Sequence, residues 1–464
     1  MNSRIRRVMI TVVMSGTYFF SSAQTTINSI ISSNQTWTVA GSPYILSANA
    51  VIQSGAKVTI EPGITIRSTA RNLRIIVDGT IEAVGTKDSA IVCQEFYFDL
   101  TNKCEDYDTA TGNGCQFKYC LFDGNGAGGS YALKTDNTTL LVRNCKFLDG
   151  YYNIYVRNSS KDTNDLYIEK SIFENTTSSF GYAMYASGGY SLKLHMSDCY
   201  VHNMYGVYMP QWASVKRCSF TNIRTMGISQ TTTQYLHLEC NLFQNFQGTA
   251  LSLSNPQSTA EISIHENTFD SCNTFFRLRV GSRYRPAKFE VYNNNFLTFV
   301  TNSVEVYGSG VAGVADTISL AKNYWGTTTS ANISAGIKDF VDDITIAGYV
   351  DHSNHLSSKV TTCTDGSSIG GADTTGVDGS VSVAEYTIND VRVYPNPASD
   401  VVSIESNFEA KVIRILSLNG TTVQAKSANG DVTDLNVADL SSGIYLLNVT
   451  GDQQSVTTRI MITH

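Results

Sequence analysis

The chain has little charge. Only 16 % of its 464 residues are Asp, Glu, Lys or Arg, and 33 basic residues face 40 acidic ones, for a net charge of −7. Such a balance excludes a general attraction for nucleic acid, which needs Lys and Arg against phosphate. Beyond residue 23 no apolar run approaches the ~20 residues needed to span a bilayer, so no transmembrane segment is expected. The seven His are scattered and neither CxxC nor HxxxH occurs, so the sequence signals no metal site, and no cofactor is implied. What the chain does have is Tyr, 25 residues of it, and repetition.

Nine stretches share the pattern apolar, x, apolar, x, x, Cys/Ser/Asn, x, aromatic or Val. Among them are CQFKYCLF (115–122), LLVRNCKF (140–147), LHLECNLF (236–243) and ISIHENTF (262–269). Their last positions are Phe122, Phe147, Phe173, Val201, Phe220, Phe243, Phe269, Phe296 and Trp325. A loose period of about 25 residues is the signature of a stacked-repeat protein. The first three positions alternate apolar and polar, which is the period of a half-buried strand and not of a helix. Asn and Gly punctuate the strands where left-handed corners are needed. Short strands joined by tight bends, stacked about 4.8 Å apart, make a right-handed parallel β-helix with inner ladders of like residues.

The repeat resembles right-handed parallel β-helix surface proteins. GAKVTIEPGITI (55–66) followed by IIVDGTIEAVGT (75–86) looks like the amino-terminal rungs of that family, and NYWGTTT (323–329) like its last rung. The resemblance implies a fold, not a chemistry. At the other end, Tyr394 to Pro397, Leu418 to Gly420 and Leu440 to Tyr445 resemble the type A carboxy-terminal sorting domain of the type IX secretion system. Arg459 stands where members commonly carry Lys. This resemblance implies passage through the outer membrane, with type IX secretion and sorting machinery as the partner of residues 385–464, and release or attachment at the cell surface.

The expected fold class is all-β: the β-helix followed by a small Ig-like β-sandwich. Residues 1–23 read as a signal peptide, with Arg4, Arg6 and Arg7 before a short apolar core and Ser21-Ser22-Ala23 before the cut. Residues 24–114 are expected to form the amino-terminal cap and first rungs, with Trp37 and Tyr44 as cap contacts. Residues 115–350 complete the β-helix, and Ile333, Ile337, Phe340 and Val341 lie at helical spacing in a closing plug. A Gly/Ser/Thr/Asp linker (351–384) and the sorting sandwich (385–464) follow. Cys120, Cys145, Cys199 and Cys218 share a column with Ser171, Asn241, Asn267, Asn294 and Asn323, which reads as a buried ladder of thiols and amides. In-register Cβ atoms about 4.8 Å apart are too distant to bridge. Cys104 with Cys115 is the better disulfide candidate. Asn175, Asn203, Asn222 and Asn245 form a second, corner column.

Aligning the second strand of each rung on its apolar pairs leaves an outward column of Tyr155, Tyr185, Tyr208, Ser229, Ser252, Arg279 and Glu305. Exposed rings offer a face on which sugars stack, and Arg277 with Arg279 offers guanidinium groups for carboxylate or sulfate. The expected ligand-binding residues are therefore Tyr155, Tyr185, Tyr208, Arg277 and Arg279. The same Tyr column also reads as a purely structural ladder, and the Arg pair as an ordinary basic loop. No catalytic residue is identified. The Asp cluster and Gly-His-Gly of polygalacturonase-type hydrolases are absent, and Glu239 with His265 reads equally as a surface pair or an acid–base couple. The function expected is binding of polysaccharide or a surface glycan, or adhesion. The alternative is a polysaccharide lyase or glycoside hydrolase acting on an acidic glycan.

Overall fold

The computed structural model describes residues 24–123, 131–157, 164–176, 181–187, 192–224, 226–230, 234–254, 258–279, 288–308, 316–363, 391–394, 398–406, 410–417, 421–428, 432–441, 443–451 and 455–462. The signal segment expected at 1–23, the linker residues 364–384 and the basic stretch beyond Arg279 as far as 287 lie outside them. The chain divides into two compact units, Met1–Gly379 and Ser380–His464.

The first unit is a parallel β-helix. One coil reads Lys146–Leu148 on the first face, Tyr152–Arg157 on the second and Asn164–Glu169 on the third. The third face is an 11-stranded parallel sheet. The first and second faces join into one of 23 strands because Leu242–Ser254 and Thr268–Arg279 run round the corner between them. Stacking begins at Thr25–Ile27, and the rings of Trp37 and Tyr44 stack 4.9 Å apart near that end.

The apolar positions of the repeat build the core. Phe122, Phe147 and Phe173 lie directly over one another, with centroids 4.7 Å apart at each step and planes within 8°. Val201 interrupts the stack, and Phe220, Phe243, Phe269, Phe296 and Trp325 continue it at 4.7 to 5.3 Å. Every Phe in this ladder is at most 2 % exposed. Each buried ring stabilises the fold by about 1.5–3 kcal/mol through removal of apolar area from water.

The thiol and amide ladder turns the corner between the third and first faces. The residue before each ladder position is left-handed, and Gly or Asn is not required there: Lys170, Asp198, Arg217, Cys240 and Glu266 all have φ between 48° and 60°. That conformation costs roughly 1–2 kcal/mol for an L-residue. Buried hydrogen bonds offset it. Asn267 Oδ1 accepts from Asn241 N and Nδ2, both at 2.9 Å, while Asn267 Nδ2 donates to Leu238 O, His265 O and Asn294 Oδ1. Asn294 and Asn323 repeat the motif. Cys120, Cys145, Cys199 and Cys218 are buried free thiols in the same column. In the second column, Asn203, Asn222 and Asn245 are left-handed corner residues, whereas Asn175 is fully buried.

Two expectations are corrected. Cys104 and Cys115 are free, and the disulfide joins Cys240 to Cys363 instead. It clips a strap that runs back from the last coil: Leu356 N bonds Asn323 O, and Val360 pairs with the Asn295 amide through both its N–H and its carbonyl. The closing plug is also shorter than its apolar spacing predicts. The helix covers only Ser330–Ala335 and buries Ile333; Ile337 belongs to a strand paired with Val304, and Val341 is 72 % exposed. The carboxylate of buried Asp339 accepts from Val341 N and Val350 N, which draws the chain into a turn where a longer helix would run.

The second unit has an antiparallel sheet of three strands and one of four, sharing a core that includes Val402, Ile404, Ile415, Leu447 and Ile460. Among the described residues no helix is long and apolar enough to cross a membrane.

Candidate functional site: the tyrosine face

The second face carries the tyrosines. Tyr155, Tyr185 and Tyr208 are register partners on successive coils. A parallel column holds Tyr131, Tyr152 and Tyr182, extended by Tyr205. Stacked contacts run along each column: Tyr155–Tyr185 at 6.0 Å and 2°, Tyr185–Tyr208 at 5.1 Å and 24°, Tyr152–Tyr182 at 5.6 Å and 15°. Edge contacts link the columns, as between Tyr152 and Tyr185 at 5.2 Å. With Tyr97 and Tyr151, nine tyrosines form one connected surface. They are half-buried, apart from the more exposed Tyr151.

This packing changes what the rings can offer. Neighbouring rings lie against Tyr155 (Tyr131 and Tyr185) and against Tyr185 (Tyr155 and Tyr208), so the faces of these two rings are occupied by other tyrosines. Flat stacking of a sugar needs an uncovered face, and the ladder opens at Tyr208, whose register partners on the next two coils are Ser229 and Ser252. Burial, followed by the neighbouring phenols, pushes the Tyr182 hydroxyl up to about 12, so it is neutral and able to donate at ordinary pH.

The arginines do not sit where the sequence alignment places them. The column continues from Ser252 to Arg277, and Arg277 pairs with Glu305; Arg279 partners Ser254 and Tyr307, two residues further along the strand. The expected apolar pair Leu278 and Val280 is in fact Phe276 and Leu278, both buried. The slip arises because FFRLRV (275–280) holds two overlapping apolar pairs two residues apart, and the cross-coil register selects Phe276 with Leu278. Arg277 is engaged: its Nε lies 2.9 Å from Glu305 Oε2, and its guanidinium stacks 4.3 Å from the Tyr307 ring centre. Lys338 Nζ lies 3.6 Å from the same carboxylate. At the opposite end of the face, Arg74 and Lys134 each lie 3.0 Å from the buried Asp99 carboxylate. Ion-pair groups thus flank the tyrosine surface: Asp99 with two cations on the strand of Tyr97, and Glu305 with two cations, its Arg277 partner lying three coils beyond Tyr208.

The third face gathers the histidines. His195 Nε2 lies 2.7 Å from Asp165 Oδ1, and its ring stacks on Tyr167 at 4.7 Å. Glu239 and His265 are register partners, as the column reading places them, and His237 Nε2 lies 3.0 Å from Glu239 Oε2. Hydrogen bonds from Lys216 and then His237 pull the Glu239 carboxyl down to about 2. The column reading already pairs Glu239 with His265, and His237 joins them from two residues along the same strand; the contact with Lys216 on the preceding coil comes from stacking.

Comparison with known proteins yields two matches. A family model described as the right handed beta helix region covers residues 132–318, and one described as the secretion system C-terminal sorting domain covers residues 392–463. No curated protein and no solved structure matches. The sorting domain implies export by type IX secretion to the cell surface or the extracellular space. The chain is a right-handed β-helix protein that carries a type IX secretion C-terminal sorting domain.

Proposed function

We propose that the protein is a non-catalytic surface or released adhesin that binds a polysaccharide laid along the solenoid axis on the tyrosine face. The observation that carries this reading is the connected surface of nine tyrosines, which repeats once per coil. A coil repeat of about 4.8 Å is of the order of one sugar unit along a polymer, so a chain parallel to the axis meets equivalent groups at each step. Phenol hydroxyls and ring edges supply the polar contacts. The uncovered side of Tyr208, beside the two Ser coils, supplies a stacking position. Three coil steps, roughly 14 Å, separate it from Arg277.

Because Arg277 is held by Glu305, recognition of acidic groups falls to the exposed Arg279. A glycan array on the full chain, followed by calorimetry with the best ligand, tests the proposal. Tyr208→Ala and Tyr185→Ala are expected to weaken binding roughly two- to tenfold, the worth of one aromatic contact, with the β-sheet circular dichroism of the folded chain retained. Arg279→Ala is expected to weaken acidic glycans only, by an amount that shrinks as salt screens the charge. Unchanged affinity in all three variants reduces the tyrosines to a packing ladder. Release of reducing ends or unsaturated products by the wild-type chain replaces binding with the lyase or hydrolase alternative.

A further inference from the structure

We propose that His237, Glu239 and His265 form a binding site for a divalent transition-metal ion, Zn²⁺ first among them, on the third face of the solenoid. His237 and Glu239 are two apart in the strand Tyr235–Glu239 and point to the same side of the sheet. His265 is the register partner of Glu239 on the next coil. One donor atom from each lies within 4.8 Å of the other two, and the closest pair is 3.0 Å apart. Tetrahedral bonds of about 2.1 Å place neighbouring donors about 3.4 Å apart, so side-chain rotation alone closes the set. Two imidazoles and one carboxylate are donors suited to a borderline ion, and three protein ligands leave a coordination position for water or a ligand.

The surroundings favour preorganisation. All three side chains stand on strands, and His265 is 14 % and His237 19 % exposed. The His265 ring stacks on Tyr292 at 5.2 Å and meets His237 edge-on at the same distance. Glu266 Oε2 lies 3.7 Å from His265 Nδ1, beyond hydrogen-bond distance, and adds negative charge beside the ring. The competitor is Lys216, whose Nζ lies 2.8 Å from Glu239 Oε2. Partly exposed ion pairs of this kind are worth little, so a metal ion displaces it readily. The neighbouring cluster of Cys240, Glu266 and Cys363 is not a second site, because its two sulfurs are joined as a disulfide.

The test uses the full chain without a histidine tag, stripped with chelator and titrated with Zn²⁺ by calorimetry and with Co²⁺ by visible absorption. One ion per chain is expected, with Co²⁺ bands of low coordination number. His237→Ala, His265→Ala and Glu239→Gln should each weaken binding at least about tenfold, while His195→Ala leaves it unchanged. Lys216→Met should tighten it by freeing the carboxylate. Thermal unfolding without metal separates lost ligands from lost fold. The proposal is overturned if the wild-type chain shows no saturable uptake or if uptake survives the three ligand variants.

Discussion

At the scale of single residues, the corners of the coils decide which side chains matter. Asp198 occupies a left-handed corner at φ 56° and holds Arg217 through two contacts, Nε to Oδ1 at 2.7 Å and Nη2 to Oδ2 at 2.8 Å. That bidentate hydrogen bond is the main reason its carboxyl titrates below the usual range. A depressed folded-state value means that the pair's stabilisation is fully present above the unfolded Asp value of about 3.9. It is lost as pH falls from there through the folded value. Asp198→Asn tolerates the left-handed backbone but removes the charge. Thermal unfolding as a function of pH should therefore show the variant less stable at neutrality by about 0.5–1 kcal/mol, with the gap closing as pH falls below the unfolded Asp value of about 3.9. A gap independent of pH would mean the pair contributes through packing alone.

At the scale of elements, the Phe ladder and the amide ladder divide the labour. The first supplies apolar burial to the core. The second satisfies backbone groups at corners that no β-ladder reaches. Phe220 sits in the middle of the stack, fully buried, with Phe243 at 5.1 Å and Val201 on the preceding coil. Phe220→Ala is expected to cost about 3–5 kcal/mol, the loss for a large buried ring whose site cannot collapse. Urea unfolding of the full chain, followed by near-ultraviolet signals of the solenoid, measures it. A cost below about 1 kcal/mol would mean the coils close over the gap, against the rigidity expected of parallel strands held on all three faces.

For the whole molecule, the sorting unit and the β-helix have separate hydrophobic cores, so they are expected to fold independently. Deleting residues 385–464 should leave a folded β-helix in the periplasm, because the segment read by the secretion machinery is gone. Cell fractionation with circular dichroism of the purified fragment checks both halves of that statement. Surface display of the truncated chain would contradict the sorting role. An unfolded fragment would show that the second unit is needed for folding. The Cys240–Cys363 bridge belongs to this scale as well, since it ties the strap leading toward residue 364 back to a coil inside the solenoid.

The β-helix was legible in the sequence because its cause is local and repeated. Each coil must place an aromatic, a small polar ladder residue and alternating apolar side chains at the same phase, and stacking multiplies that one constraint over the whole solenoid. The sorting unit was legible through short turn motifs for a similar reason. The tyrosine column was legible over three coils, where each second-face strand offers one apolar pair around its Tyr: Ile154/Val156, Met184/Ala186 and Val207/Met209. It failed at Arg277, where Phe276, Leu278 and Val280 offer two overlapping apolar pairs and only the cross-coil register, Leu251 to Phe276 and Leu253 to Leu278, chooses between them. Only tertiary structure decided how the rings stack, which cations are already neutralised, which cysteines bridge and that His237, Glu239 and His265 meet. Apart from the His237–Glu239 contact along one strand, these are contacts between coils or with the strap, and side-chain packing sets them rather than any pattern within one repeat.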